Sequence, residues 1–142
     1  MYTINCSDSF DSAHFLSGYD GKCKNIHGHR WSVEVEICAK NLQESGDKRG
    51  MVSDFGDVKR DLKAITDRFD HALIIEEKTL KKSTVKALEE EGFKLVFVAF
   101  RTTAEEFSKF FYDEMKAKGY NITCATVYET PNNCASYDGC CI

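Results

Sequence analysis

Three histidines in the first part of the chain have the spacing of a metal site. His27 and His29 are separated by one residue, and His14 precedes them. In an extended strand, side chains two residues apart share a face, with Cα atoms about 7 Å apart, so both imidazoles can reach one ion. Three neutral imidazoles suit Zn²⁺, and a catalytic zinc site has three protein ligands and one open position. The sequence therefore predicts a zinc site at His14, His27 and His29.

Cys23 lies four residues before His27 and is compatible with two kinds of site. As a fourth ligand, its thiolate would close a structural tetrahedron. Outside the ligand set, it would be a thiol whose pKa falls near the metal, and therefore a candidate catalytic base. A non-catalytic zinc-binding module and an enzyme both remain possible on this spacing.

Two acidic positions and one Asp-His pair are further candidates. Asp70 directly precedes His71, and a carboxylate can hold an imidazole in one tautomer and stabilise its protonated form. The competing interpretation is a histidine that caps a helix C-terminus. Glu129 ends a predicted strand, where its carboxylate can accept two parallel N–H bonds from a planar heterocycle, or is simply solvated. Glu105 begins a predicted helix, and the helix dipole is a sufficient reason for a carboxylate there.

Length and composition indicate one domain, residues 1–142, of a cytosolic protein. A chain of 142 residues can bury a substantial core without disulfides or metals. The formal net charge of −4 gives no electrostatic reason to expect a nucleic acid or an anionic membrane as partner. No apolar run is long enough to span a bilayer, and residues 1–5 lack the features of a secretion signal.

Cysteine usage also indicates a reducing compartment. The seven cysteines are an odd number, and none of them forms a C-x-x-C pair, so reduced thiols are the favoured interpretation. Cys140 and Cys141 are adjacent near the end of the chain, and we interpret this pair as an oxidation liability without a role.

Hydrophobic periodicity predicts the elements that must position these residues. Alternation and apolar runs predict four strands, at 2–16, 27–40, 95–100 and 122–129. The third of these is expected to be covered on both faces, partly by another subunit. Apolar residues that recur every three or four positions predict a helix that begins after Ser53 or Asp54. Its buried face would contain Phe55, Val58, Leu62, Ile65 and Phe69. A capping box at 103–106 begins another helix that ends at Gly119, and residues 83–91 form a short helix that ends at Gly92. This order predicts an α+β domain, with helices on one face of an antiparallel sheet whose open edges favour closure into an oligomeric barrel.

Six segments, in order along essentially the whole chain, resemble the family of 6-pyruvoyl-tetrahydropterin synthase and 6-carboxytetrahydropterin synthase. They are FDSAH at 10–14, CKNIHGH at 23–29, DF at 54–55, FDH at 69–71, TAE at 103–105 and YETP at 128–131. The resemblance implies the tunnelling fold (T-fold), with a four-stranded antiparallel sheet. In that fold, trimers form a barrel and two trimers stack as a homohexamer.

The resemblance also implies the roles of nine residues in a reaction on 7,8-dihydroneopterin triphosphate. By this resemblance, His14, His27 and His29 hold Zn²⁺, Cys23 is the base, Asp70 and His71 relay protons, and Glu129 anchors the pterin ring with help from Thr103 and Glu105. Segment 76–92 looks longer than is usual in the family.

Two branches of the family differ in the fate of the substrate's side chain. One branch keeps the three-carbon side chain, whereas the other cleaves it, releasing acetaldehyde and leaving a carboxylate for the queuosine (deazapurine) pathway. Residues 129–131 and the compact loop between His14 and Cys23 resemble the carboxy branch, while Asn132-Asn133 and Thr102-Thr103 resemble the pyruvoyl branch. The resemblance therefore implies, as an expectation, a zinc-dependent 6-carboxy-5,6,7,8-tetrahydropterin synthase. The alternatives are a 6-pyruvoyl-tetrahydropterin synthase and, from another class, the non-catalytic zinc-binding module.

Overall fold

The computed structural model describes residues 1–139, so Cys140 and Cys141, with the oxidation liability predicted for them, lie outside the described residues. A six-stranded sheet runs in the order β4-β3-β1-β2-β5-β6. The strands are β1 (Tyr2–His14), β2 (His27–Ala39), β3 (Ala72–Glu76), β4 (Leu95–Val98), β5 (Ile122–Thr130) and β6 (Asn133–Tyr137). The helices are α1 (Phe55–Thr66), α2 (Lys82–Glu90) and α3 (Ala104–Ala117). The architecture is the α+β class that the sequence predicts.

The two longest strands, β1 and β2, pair antiparallel over their whole length and form the centre of the sheet. Alternate residues of β2, beginning with Trp31 and continuing through Val33, Val35 and Ile37, are buried, as predicted. In β1 the buried positions near the end are Phe10, Ser12 and His14. Because side chains alternate across a strand, Asp11 and Ala13 face away from this buried side.

The core lies between this buried face and helices α1 and α3. The Phe107 ring of α3 lies 5.1 Å from Trp31, and Trp31 in turn lies 4.9 Å from the ring of His14, as measured between ring centroids. The aromatic core therefore extends directly to the predicted metal site. None of the helices in residues 1–139 has the combination of length and apolarity that a bilayer-spanning segment needs.

The two predicted helix N-caps, Asp54 and Thr103, are confirmed. The side chain of Asp54 accepts a hydrogen bond from the backbone N–H of Asp57, and that of Thr103 accepts one from Glu106. The predicted helix ends are also confirmed, because Gly92 and Gly119 have φ angles of +85° and +96°, which favour glycine.

The predicted sheet of four antiparallel strands is wrong in strand number and in direction. Strand β3 was missed, and it pairs parallel with both β1 and β4. A strand in parallel pairing is a short continuous apolar run, which periodicity cannot separate from other buried segments. Strand β6 was also missed, because it is mostly exposed and carries no apolar alternation.

One burial prediction is untested in a single chain, and another is wrong. The strand at 95–100 was expected to be covered on both faces, partly by another subunit; within this chain β4 is a four-residue edge strand in which Phe97 is 42% exposed. Phe55 was placed on the buried face of α1, but it is the first residue of the helix and is 54% exposed. The other four residues of that predicted face are buried, because they lie farther along the helix, where it packs on the sheet, or just beyond its end.

Candidate metal centre and active site

The three predicted ligands converge at one end of the β1–β2 hairpin. His14 is the last residue of β1 and lies directly opposite His27, the first residue of β2, in the antiparallel register. His29 lies on the same side as His27, since two residues separate them along the strand. The ring centroids of the three imidazoles are 4.6 to 5.1 Å apart. The regular pairing of two long strands is therefore what assembles the trio.

Backbone carbonyls orient two of the rings. The Nδ1 atom of His14 donates to the carbonyl oxygen of Thr102 at 2.9 Å, and Nδ1 of His27 donates to that of Asn25 at 2.7 Å. A carbonyl oxygen can only accept, so each contact places the proton on Nδ1 and leaves Nε2 with a free lone pair. This arrangement is typical of histidines that bind a metal through Nε2.

The trio fits a bound divalent metal. The Nε2 atoms of His14, His27 and His29 are all buried, and none has a hydrogen-bond partner. A buried polar atom without a partner costs about 1–3 kcal/mol, so three of them together indicate a ligand. Nitrogen ligands of neutral imidazoles are those that Zn²⁺ accepts.

Burial favours the neutral, metal-binding form of His14 and His29. Burial, followed by positive charge on His27 and His29, lowers the pKa of His14 to about 4. The pKa of His29 is also lowered, mainly by burial, although the carboxylate of Glu129 acts in the opposite direction. His14 is therefore neutral near pH 7, as a ligand must be.

Glu129 of β5 joins the same cluster. Its Oε1 atom lies 3.2 Å from Nε2 of His29, although the contact is not aligned as a hydrogen bond. The ligand atoms of Glu129 and the three histidines all lie within 4.8 Å of one another. A cavity of about 700 Å³ is lined by Glu129 and His29 together with Ser9, Gly28, Arg30, Ser32, Tyr128, Thr130 and Pro131. The predicted heterocycle anchor thus lies beside both the metal ligands and a cavity of ligand size.

Cys23 lies near the cluster in sequence but outside it in space. It occupies a short 3₁₀ turn, Lys22–Lys24, and its carbonyl oxygen accepts a hydrogen bond from the N–H of Leu16 at 2.9 Å. Within residues 1–139, the group of mutually close ligand atoms contains Glu129 and not Cys23. In this geometry Cys23 does not close a structural tetrahedron with the histidines.

Asp70 and His71 contact each other, which their adjacency alone did not establish. Nδ1 of His71 lies 2.9 Å from Oδ2 of Asp70, and Oδ1 of Asp70 accepts the N–H of Asp11 at 2.9 Å. These two hydrogen bonds, the one from Asp11 first, lower the pKa of Asp70. The backbone of His71 has φ +56°, which is uncommon for a residue other than glycine. The competing interpretation as a helix cap is wrong, because α1 ends at Thr66.

The Asp70-His71 pair does not join the metal cluster of its own chain. It is attached to Asp11, which faces away from the buried side of β1, and the His71 side chain is 79% exposed. An open cavity of about 420 Å³ is nevertheless lined by both His71 and His29. The pair therefore flanks the site from the exposed side of the sheet.

Thr103 and Glu105 have structural roles at the start of α3 and lie outside the metal cluster.

Two residues that orient the ligands were missed by the sequence analysis, and the first of them is Thr102. Thr102 is fully buried, and its Oγ1 atom lies 3.1 Å from Nδ1 of His14. Asn25 was missed as well. Both orient a ligand mainly through a backbone carbonyl, and no side-chain pattern in a sequence reports that kind of contact.

Comparison with known proteins gives a family match over nearly the whole chain. The family model described as "6-pyruvoyl tetrahydropterin synthase" matches residues 3–140. A protein of Haemophilus influenzae named 6-carboxy-5,6,7,8-tetrahydropterin synthase is 39% identical over 140 residues, covering 96% of this chain and 99% of the relative. One of the same name from Rickettsia bellii is 33% identical over 129 residues, covering 87% and 90%.

Solved structures share the fold. An uncharacterized protein of Wolinella succinogenes superposes with a TM-score of 0.79 at 19% identity, covering 97% of this chain and 98% of the other. The 6-pyruvoyl tetrahydropterin synthase of Caenorhabditis elegans superposes with a TM-score of 0.67 at 24% identity, covering 97% and 95%. At these identities the likeness establishes the T-fold, which confirms the predicted fold class.

Proposed function

Because the chain belongs to the 6-pyruvoyl tetrahydropterin synthase family, and is thus a lyase-type enzyme, we propose that it is a zinc-dependent 6-carboxy-5,6,7,8-tetrahydropterin synthase. It would convert 7,8-dihydroneopterin triphosphate to 6-carboxytetrahydropterin, with release of acetaldehyde and triphosphate. The names of the relatives support the carboxy branch. The convergence of three buried, unpartnered Nε2 atoms is the structural observation that carries the proposal.

His14, His27 and His29 would hold the zinc ion through Nε2. A bound Zn²⁺ supplies Lewis acidity, which polarises substrate hydroxyls and makes the neighbouring C–H protons easier to remove. The aromatic core behind His14 and the buried carbonyl of Thr102 keep the ligand rings in place, so little reorganisation is needed during turnover.

Glu129 would anchor the pterin ring. Its carboxylate can accept two parallel N–H bonds from the ring, and it lines the cavity of about 700 Å³ beside His29. Thr103 and Glu105 would assist from the start of α3. Because this carboxylate lies next to the ligand atoms, it would hold the pterin ring so that the side chain of the substrate reaches the metal site.

Cys23 would be the base that removes a proton from the substrate side chain, as a thiolate near a cation can. The hydrogen-bonded Asp70-His71 pair would return or remove protons from the other side. Its position on the exposed side of the sheet supports a role toward substrate held by a neighbouring copy in a homohexamer, which we propose as the assembly.

We further propose that the chain is one domain, acts in the cytosol and serves the queuosine pathway. The described cysteines, Cys6, Cys23, Cys38, Cys124 and Cys134, are all free thiols, as expected in a reducing compartment. The carboxylate product is the feature that supports the pathway, since the pyruvoyl branch keeps the side chain.

A product assay tests the activity. Purified protein loaded with Zn²⁺ is incubated with 7,8-dihydroneopterin triphosphate, and both acetaldehyde and triphosphate are measured. We expect both products in equal amounts. Triphosphate without acetaldehyde would favour the 6-pyruvoyl-tetrahydropterin synthase alternative, toward which Thr102-Thr103 and Asn132-Asn133 point. Absence of both products would overturn the proposal.

A further inference from the structure

A second cavity lies directly beyond the histidine trio, at the tip of the β1–β2 hairpin. It has a volume of about 400 Å³ and is lined by Phe15, Leu16, Ser17, Gly18, Lys24, Asn25, Ile26 and Leu80. Phe15 follows the ligand His14, and Ile26 precedes the ligand His27. The carbonyl of Asn25 contacts Nδ1 of His27 at 2.7 Å. The cavity thus begins within one hydrogen bond of a ligand ring.

One cation lines this cavity, and a second, from a distant part of the chain, contacts a residue of its wall. Lys24 lines it, and among residues 1–139 its ammonium group has no ion-pair partner. The Arg101 guanidinium donates to the carbonyl of the lining residue Ser17 at 3.1 Å. Lys22 and Asp20 belong to the same hairpin loop, so the loop contains one carboxylate against two lysines.

Cations outnumber carboxylates in the hairpin loop beside this cavity. The whole chain has a formal net charge of −4, whereas this loop contains Lys22 and Lys24 against Asp20. Leu80 brings the loop before α2 to the cavity wall, and that loop contains Lys78 and Lys81 after Glu76 and Glu77. Clustered cations beside a concave surface attract an anionic ligand and hold it there.

The order of groups across the site matches the order of groups in the proposed substrate. Glu129 lies beside His29, His27 follows two residues closer to the hairpin tip, and Asn25 and Lys24 follow beyond it. The substrate has its ring at one end, two hydroxyl-bearing carbons in the middle and a triphosphate at the other end. With the ring at Glu129 and the hydroxyls at the metal, the triphosphate extends toward the cavity.

We propose, on the basis of the proposed function, that this cavity binds the triphosphate of the substrate, with Lys24 and Arg101 as its principal cations. Nitrogen donors on flexible or forked side chains are the groups that recognise phosphate oxygens. When the bond from the side-chain carbon to the ester oxygen breaks, its electron pair remains on the triphosphate. Lys24 and Arg101 stabilise that added negative charge and so assist departure of the leaving group.

The first test measures binding of inorganic tripolyphosphate to the zinc-loaded protein by calorimetry. Lys24→Gln is compared with Lys40→Gln, an exposed lysine just past the far end of β2, about 40 Å away at strand spacing. We expect Lys24→Gln to weaken binding about tenfold, since one charge-assisted contact is lost, and Lys40→Gln to have no effect. Lys24→Arg should restore most of the affinity. Equal binding by all variants, or no binding by the wild type, would overturn the proposal.

The second test separates this subsite from the proposed function. Binding of 7,8-dihydroneopterin, which lacks the triphosphate, should be the same for Lys24→Gln and the wild type. In turnover, Lys24→Gln should raise KM for the triphosphate substrate. If Lys24→Gln weakens the binding of dihydroneopterin as much as it weakens the binding of tripolyphosphate, Lys24 acts on the whole site. That result would refute the proposed triphosphate subsite. If tripolyphosphate binds at Lys24 but no turnover occurs, the anion site stands and the proposed function fails.

Discussion

The imidazole of His14 is fixed by Thr102, which lies far away in sequence. Nδ1 of His14 is 2.9 Å from the carbonyl oxygen of Thr102 and 3.1 Å from its Oγ1 atom. The same hydroxyl is placed to donate to the carbonyl of Phe15 at 3.3 Å. The residue just before helix α3 therefore ties the end of β1 to the core and sets the direction in which Nε2 of His14 points.

Replacing Thr102 by valine tests this coupling. Thr102→Val removes the hydroxyl while keeping the side-chain shape, so we expect the affinity for zinc to fall about tenfold, as is typical when a group that orients a ligand is lost. Zinc affinity is measured by competition with a chromophoric chelator. Thr103→Ala is the control, since loss of a helix N-cap costs about 1 kcal/mol of stability and should leave zinc affinity unchanged. Equal zinc affinity in Thr102→Val and the wild type would contradict a role of the hydroxyl and would leave the coupling to the backbone carbonyl alone.

Removal of the metal should leave the fold largely intact. The core around Trp31 and Phe107 consists of buried apolar side chains that are not metal ligands, whereas in a structural zinc site the binding free energy is folding free energy. We expect the chelated protein to keep its far-UV circular dichroism, with a lower Tm that zinc restores. His27→Ala should show the same Tm with and without zinc. Global unfolding on chelation would instead indicate a structural site.

Glu129→Gln distinguishes an anchor from a fourth metal ligand. The 3.2 Å contact with His29 is compatible with either role. If Glu129 anchors the ring, the glutamine side chain of the variant keeps the shape of the carboxylate but loses its charge-assisted hydrogen bonds. We therefore expect kcat/KM to fall about 100-fold, which corresponds to the loss of two such bonds. Zinc content, measured by elemental analysis, should remain one ion per chain. Glu34→Gln, on an exposed position of β2, is the control. Loss of zinc from Glu129→Gln would assign the carboxylate to the metal.

Cys23→Ser tests the proposed base. A hydroxyl is a far weaker base than a thiolate, so we expect kcat to fall by about 10²–10⁴-fold, the usual contribution of a positioned base. Zinc content should not change, because Cys23 lies outside the cluster of ligand atoms. Cys134→Ser, an exposed thiol in β6, is the matched control and should retain full activity. Intact turnover in Cys23→Ser would remove the base assignment, and loss of zinc would make the cysteine a ligand.

The parts of the site that lie on regular elements could be predicted from the sequence. His27 and His29 share the alternation of β2, and the burial of Trp31 on the same face confirms their direction. The caps Asp54 and Thr103 were found because capping depends on local residue types. Thr102 and the parallel strand β3 could not be found, because both depend on contacts between distant segments that leave no periodic signal. The contact between Asp70 and His71 also needed coordinates, since it depends on the left-handed backbone of His71.

Tyr120 should make stability sensitive to alkaline pH. Its hydroxyl donates to Oδ2 of Asp61 in α1 at 2.6 Å, and burial, followed by this hydrogen bond, raises the pKa of Tyr120 above its ordinary value. In the unfolded chain the phenol ionises near pH 10, while in the folded protein it stays protonated to higher pH. Above about pH 10 the folded state therefore binds more protons than the unfolded chain. The stabilisation that the protonated phenol of Tyr120 provides is complete below that pH and is lost as the pH rises further.

Tyr120→Phe removes both the hydrogen bond and the titration. We expect the free energy of unfolding at pH 7 to fall by about 1 kcal/mol, the usual net value of such a bond. The difference between wild type and variant should shrink as the pH rises from 9 to 11, since only the wild type loses this contribution. Urea unfolding at several pH values measures both quantities. Tyr2→Phe, with an exposed ring in β1, is the control and should follow the wild type. A difference that stays constant up to pH 11 would show that the phenol does not ionise differently in the two states.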